Sequence, residues 1–142
     1  MTDAPQTRRA GFSLAAGDIQ TAVAWIASEA RALGATERQS FGAQLCAEEL
    51  LVNAMNHGGR ERLAVAIALD RLPDRLRLRL EDDGAAFDLL DAPERRSDPS
   101  LSQSRPGGWG VSLVRRFADR IECNRFEGAN VVVLEFIEGG EP

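Results

Sequence analysis

The sequence predicts an α+β domain: a two-layer α/β sandwich in which a mostly antiparallel sheet is covered on one face by helices. Two early segments carry apolar residues at helical spacing, and the two that follow alternate strictly. A short helix and two further strands complete the order βααββαββ. At 142 residues there is room for one domain.

Residues 1–9 are polar and are expected to form a flexible N-terminus, leaving 10–142 as the single domain. A short extended segment over 10–15 precedes Gly17 and Asp18, with Asp18 placed to cap the first helix. That helix spans 19–33, with Ala22, Trp25, Ile26 and Leu33 on its apolar stripe, and stops at Gly34. Thr36 and Glu37 open a second helix that runs to the Gly58-Gly59 pair. The period then changes. Leu63, Val65, Ile67 and Leu69 occupy alternate positions, and after the turn Leu72-Pro73-Asp74 so do Leu76, Leu78 and Leu80. These two runs read as an antiparallel hairpin with one face toward a core. Arg75, Arg77 and Arg79 fall on its other face, which reads as solvated.

The stretch 88–106 carries Pro93, Pro99, Pro106 and four serines without a sustained apolar period. A structureless run of more than about 12–15 residues within a compact domain is usually functional or disordered. A third helix is expected over 111–119, and strands over 121–126 and 130–137 meet at Glu127-Gly128-Ala129.

Composition narrows the function. A net charge of −5 argues against nucleic acid as the main partner, because phosphate binding needs concentrated Lys and Arg. Cys46 and Cys123 lie far apart and read as small apolar residues, and with His57 the lone histidine a Cys/His zinc site is hard to assemble. Residues 1–9 lack the apolar stretch of a secretory signal. No apolar run approaches the roughly 18–20 residues that span a bilayer. The expectation is a cytoplasmic protein that engages no membrane.

Three constellations carry chemistry. On the second helix, Glu49, Asn53, Asn56 and His57 fall within an arc of about 100° on an otherwise apolar cylinder. A carboxylate and an amide oxygen one turn apart suit a hard cation held partly by water, with a base nearby. The stripe also fits a solvated face or an internal hydrogen-bond network. At the end of the hairpin stands Glu81-Asp82-Asp83-Gly84-Ala85-Ala86-Phe87-Asp88. A carboxylate there can accept from the exocyclic amine of a base, with glycine allowing close backbone approach; a plain turn has the same composition. Third, Gly107-Gly108-Trp109-Gly110-Val111 precedes a helix, where backbone N–H groups favour phosphate. No Gly-Lys-Ser/Thr follows, so this is not a Walker A loop. Alone, it is a weak signal.

In this order and spacing the three resemble the N, G1 and G2 boxes of the GHKL (Bergerat-fold) ATPase superfamily: Glu49-x₃-Asn53-x₃-His57, Asp82-x-Gly84 and Gly108-x-Gly110. The paired Glu48-Glu49 and the Asp-Asp-Gly-x-x-Phe-Asp form look most like the RsbW-type anti-sigma-factor serine/threonine kinases. The resemblance runs over 11–138. It implies Glu49 as general base, Asn53 as the Mg²⁺-holding amide and Asp82 as the adenine-reading carboxylate, with Gly84 giving room for the ring. It implies Gly108 and Gly110 at the phosphates, Phe87 and Val111 against the nucleotide, and 88–106 as the ATP lid. His57 closes the first motif, as a nucleotide contact or as a packed histidine. Ala85-Ala86 stands where proline or glycine is common, and Trp109 where leucine or methionine is more usual. The implied cofactors are ATP and Mg²⁺. The implied partners are an anti-sigma-factor antagonist as substrate and a sigma factor that the homodimeric kinase sequesters. A module whose protein interface is gated by nucleotide, with no phosphate moving, is the alternative from another class.

Overall fold

In a computed structural model the chain is described over residues 6–57, 61–86 and 110–139, with backbone alone at 110–112. The elements are β1 (Gln6–Leu14), α1 (Ile19–Ala32), α2 (Glu37–His57), β2 (Leu63–Arg71), β3 (Arg75–Asp82), α3 (Gly110–Phe117), β4 (Arg120–Phe126) and β5 (Ala129–Ile137). The five strands form one sheet in the order β1-β2-β3-β5-β4, and each neighbouring pair is antiparallel.

Alternation sets which face is covered. Leu63, Val65, Ile67 and Leu69 of β2, Leu76, Leu78 and Leu80 of β3, and Leu134 and Phe136 of β5 share one buried core with Ile26 of α1 and Leu50 and Leu51 of α2. The intervening residues, among them Ala64, Ala66 and Arg79, stay exposed on the opposite face. Burying one Leu or Ile contributes roughly 1.5–3 kcal/mol, so this common face dominates the packing energy.

Local chemistry fixes the ends of the helices. Thr36 and Gln39 form a reciprocal capping box: the Gln39 amide donates to Thr36 Oγ1 (3.1 Å), and the Thr36 amide donates to Gln39 Oε1 (2.9 Å). Gln39, only 2% exposed, also donates through Nε2 to the Phe136 carbonyl at 2.9 Å, tying α2 to β5. Gly42 lets the two meet closely, since a Cβ there would lie 3.0 Å from the Phe136 ring. α1 closes in a Schellman motif, with Ala35 N–H on the Ala30 carbonyl, Gly34 N–H on that of Arg31, and Gly34 at φ +80°.

Three details depart from the sequence expectations. β1 begins at Gln6, not at residue 10, because 6–9 pair with β2 through their backbones whatever their side chains. Asp18 stands at the start of α1 without capping it. Its carboxylate instead accepts the Ala15 amide at 2.9 Å across the 3₁₀ turn Ala16–Asp18. The arginine face is not simply solvated either: Arg75 Nη1 and Arg77 Nε reach Glu135 at 2.7 and 3.1 Å, and Glu135 is 7% exposed.

Candidate functional site

The C-terminal half of α2 leans over the ends of β2, β3 and β5 and leaves a small cavity between them. Leu50, Leu51, Val65, Leu80 and Val132 give it apolar walls, while Asn53, His57, Asp82 and Asn130 supply the polar groups. Apolar walls with a few converging polar groups are the usual make-up of a small-molecule site. Asn53 and His57 of the first motif and Asp82 of the second thus line one cavity.

The two adjacent carboxylates at the end of β3 do different work. Asp83 Oδ1 accepts the Ala64 amide at 2.9 Å and its own amide donates back to the Ala64 carbonyl at 3.2 Å, extending the ladder to β2. Asp82 turns toward the cavity, where its Oδ1 accepts the Gly84 amide at 2.9 Å and Asn130 Nδ2 at 3.0 Å. The first of these bonds is an Asx turn, so the plain-turn reading holds for one oxygen of the carboxylate. Both described bonds fall on Oδ1.

Glu49 sits one turn before Asn53 on α2. Its Oε2 is buried and finds no hydrogen-bond partner among the described residues. Burial, reinforced by the neighbouring Glu48 charge, holds its carboxyl above the usual range. Glu48 itself accepts Gln20 Nε2 at 2.5 Å, which joins α1 to α2 beside Glu49. One turn earlier, burial and the Glu49 charge push the Cys46 thiol up to about 12, so it stays an unreactive core residue. Asn53 is 8% exposed, in keeping with a side chain that meets the cavity and not bulk solvent.

The third motif is only partly in view. α3 starts at Gly110, with Val111 following in its first turn. Phe87, 88–106, Gly108 and Trp109 lie outside the described residues. Gly84 is buried where the loop leaves β3. Two residues that the motifs do not mark also belong to the site. Asn130 lines the cavity, and Arg125 donates to it and to the Gly84 carbonyl. Asn130 carried a readable signal: it is a polar residue at a core-facing position of a strand that continues Val132, Leu134, Phe136. Arg125 carried none.

Residues 12–136 match the family described as the histidine kinase-like ATPase domain. The chain belongs to that family. Among curated relatives, the serine/threonine-protein kinase BtrW of Bordetella bronchiseptica is 31% identical over 99 residues, covering 68% of this chain and 70% of that one. The serine-protein kinase RsbW of Listeria innocua is 24% identical over 100 residues, covering 66% and 64%. A crystal structure of the RsbU and RsbW domains of a Mycobacterium tuberculosis protein superposes with a TM-score of 0.58 at 15% identity, over 90% of this chain and 32% of that one. The catalytic domain of histidine kinase ThkA gives 0.50 at 15%, over 91% and 97%. At that identity the structures show the fold alone, which is the GHKL-type α+β sandwich. Within the histidine kinase-like ATPase family, the curated relatives place the chain beside the RsbW-type kinases. None of the described helices is long and apolar enough to cross a membrane.

Proposed function

We propose that the chain binds ATP in this cavity and transfers its γ-phosphoryl group to a serine or threonine of a partner protein. The substrate class is an anti-sigma-factor antagonist, and the unphosphorylated kinase, as a homodimer, sequesters a sigma factor. The observation that carries the reading is Glu49: a carboxylate with a buried oxygen that has no partner among the described residues and a raised proton affinity, one turn from Asn53, which lines the cavity. A carboxylate perturbed in this way, one turn from a cavity-lining amide, is a candidate functional group.

The chemistry needs positioning and charge stabilisation more than covalent work by the protein. The apolar walls take the base, and Asp82 accepts from its exocyclic amine. Glu49 orients the attacking hydroxyl and takes its proton as the new O–P bond forms and the bond to the ADP oxygen breaks. Asn53, 8% exposed and lining the cavity, offers an amide oxygen that would hold Mg²⁺. Mg²⁺ would then be held mainly by phosphate and water, neutralising charge on the phosphates.

Labelled ATP with candidate antagonists tests the reading. Glu49→Gln should lower transfer by about 10²–10⁴-fold while ATP affinity stays within a factor of two or so. Full transfer by that variant would remove Glu49 as the base. ATP binding with no phosphate moved to any antagonist would favour the nucleotide-gated interaction module instead.

A further inference from the structure

The hairpin of β4 and β5 reaches back over the loop that follows Asp82. Arg125 Nη1 donates to the Gly84 carbonyl at 2.9 Å and to Asn130 Oδ1 at 3.1 Å. Asn130 Nδ2 in turn donates to Asp82 Oδ1 at 3.0 Å and to the Ala85 carbonyl at 2.9 Å. The sense of this chain is forced by its ends. A carboxylate and a backbone carbonyl only accept, so the NH₂ of Asn130 must face them, which leaves its oxygen toward the guanidinium. Asn130 is 7% exposed, so an unmet amide group there would carry a desolvation cost.

We propose that Arg125 and Asn130 act as a latch that sets the purine selectivity of the site. This rests on the ATP reading above. Both are positioning residues: Asn130 holds Asp82 by Oδ1 and the Ala85 carbonyl, while Arg125 holds Asn130 and the Gly84 carbonyl, so the carboxylate cannot swing away from the ring. A carboxylate held in this way accepts from a 6-amino purine and repels a 6-oxo purine, whose oxygen offers no donor. Cutting the latch leaves Asp82 Oδ1 with the Gly84 amide but no longer tied to β5, so the carboxylate and its loop can turn aside together. The attraction for adenine then weakens, and so does the repulsion of the 6-oxo ring.

The test is a calorimetric comparison of ATP and inosine triphosphate on wild type, Arg125→Met, Arg125→Lys and Asn130→Leu, with a thermal melt on each. Wild type should favour ATP by tenfold or more. Arg125→Met and Asn130→Leu should raise the ATP Kd about tenfold while the inosine triphosphate Kd holds level or falls, compressing the ratio by about tenfold or more. Arg125→Lys should keep most of the selectivity, because a single nitrogen makes both of the arginine bonds and an ammonium can reach the Gly84 carbonyl. Parallel weakening of both nucleotides in all variants would mean a merely structural role and would overturn the latch. An unchanged ratio in folded variants would overturn it too. Wild type that binds neither nucleotide would sink the ATP reading itself, and the latch with it. Should Arg125→Met melt below the assay temperature, the lysine and leucine variants still decide the matter.

Discussion

Glu49 works against the stability of the fold that holds it. Its carboxyl binds a proton more tightly in the folded than in the unfolded chain, because burial first and Glu48 second disfavour its charge. Between the unfolded and folded values the native state therefore carries more protons, so this group's contribution falls as pH rises through that window. Glu49→Gln should raise the melting temperature at neutral pH even as it removes phosphoryl transfer; a lower melting temperature would contradict the burial argument. Glu48→Gln removes a negative neighbour, favours ionised Glu49, and should move the acid limb of the pH–rate profile to lower pH. Of the residues that line the cavity, Asn53 and Asp82 were singled out in the sequence by residue type and spacing. Asn130 was legible only as a misplaced polar residue on an apolar strand face. Arg125 was not, since an exposed arginine on an alternating strand looks the same whether or not it bonds to a loop 41 residues away.

At the level of elements, α2 carries the candidate chemistry and β5 sets where α2 lies. Gln39 bonds to the Phe136 carbonyl and Gly42 gives room for the Phe136 ring, so α2 has little freedom to shift. Gly42→Val puts two methyls where a single Cβ already meets the ring at 3.0 Å. It should cost about 1–3 kcal/mol in a denaturant titration and weaken nucleotide binding by displacing Asn53. An unchanged midpoint would show that the ring moves aside freely. The hairpin of β2 and β3 was readable from strict alternation, and the start of α2 from Thr36. The length of β1 was not: Thr7, Arg8 and Arg9 join the sheet by backbone pairing, which leaves no hydropathy pattern. Asp18 misled for a related reason, because a carboxylate at a helix start can cap the helix or close the preceding turn, and only geometry separates the two.

Across the whole molecule the sheet has an apolar face under the helices and a charged face away from them. Glu135 organises the charged face. Burial alone would raise its carboxyl, but hydrogen bonds from Arg75 and Arg77 outweigh that and hold it below its ordinary value of 4.5. A carboxylate depressed in this way stabilises the fold above its unfolded value, and that contribution is lost as pH falls through the folded value. Acid unfolding of wild type should therefore steepen below about pH 4.5. Glu135→Gln should be less stable than wild type at pH 7 and should lose less on acidification. Equal acid sensitivity in the two proteins would show that other carboxylates govern it. The overall architecture was readable because alternation and helical period agreed along most of the chain. The ion-paired arginine face was not, since a run of alternating arginines does not reveal a glutamate 58 and 60 residues further on.

The decisive measurement is a calorimetric titration of the purified protein with ATP, with and without Mg²⁺, on wild type, Asp82→Asn and Glu49→Gln. In Asp82→Asn the side-chain oxygen can still accept from Gly84 and Asn130, which turns its NH₂ toward the amine of adenine, donor against donor. Wild type should bind saturably at one site and more tightly with Mg²⁺; Asp82→Asn should bind at least about tenfold more weakly, and Glu49→Gln should match wild type. A folded wild-type protein that takes up no ATP, or an Asp82→Asn variant that binds as wild type does, would contradict the assignment of this cavity as the nucleotide site.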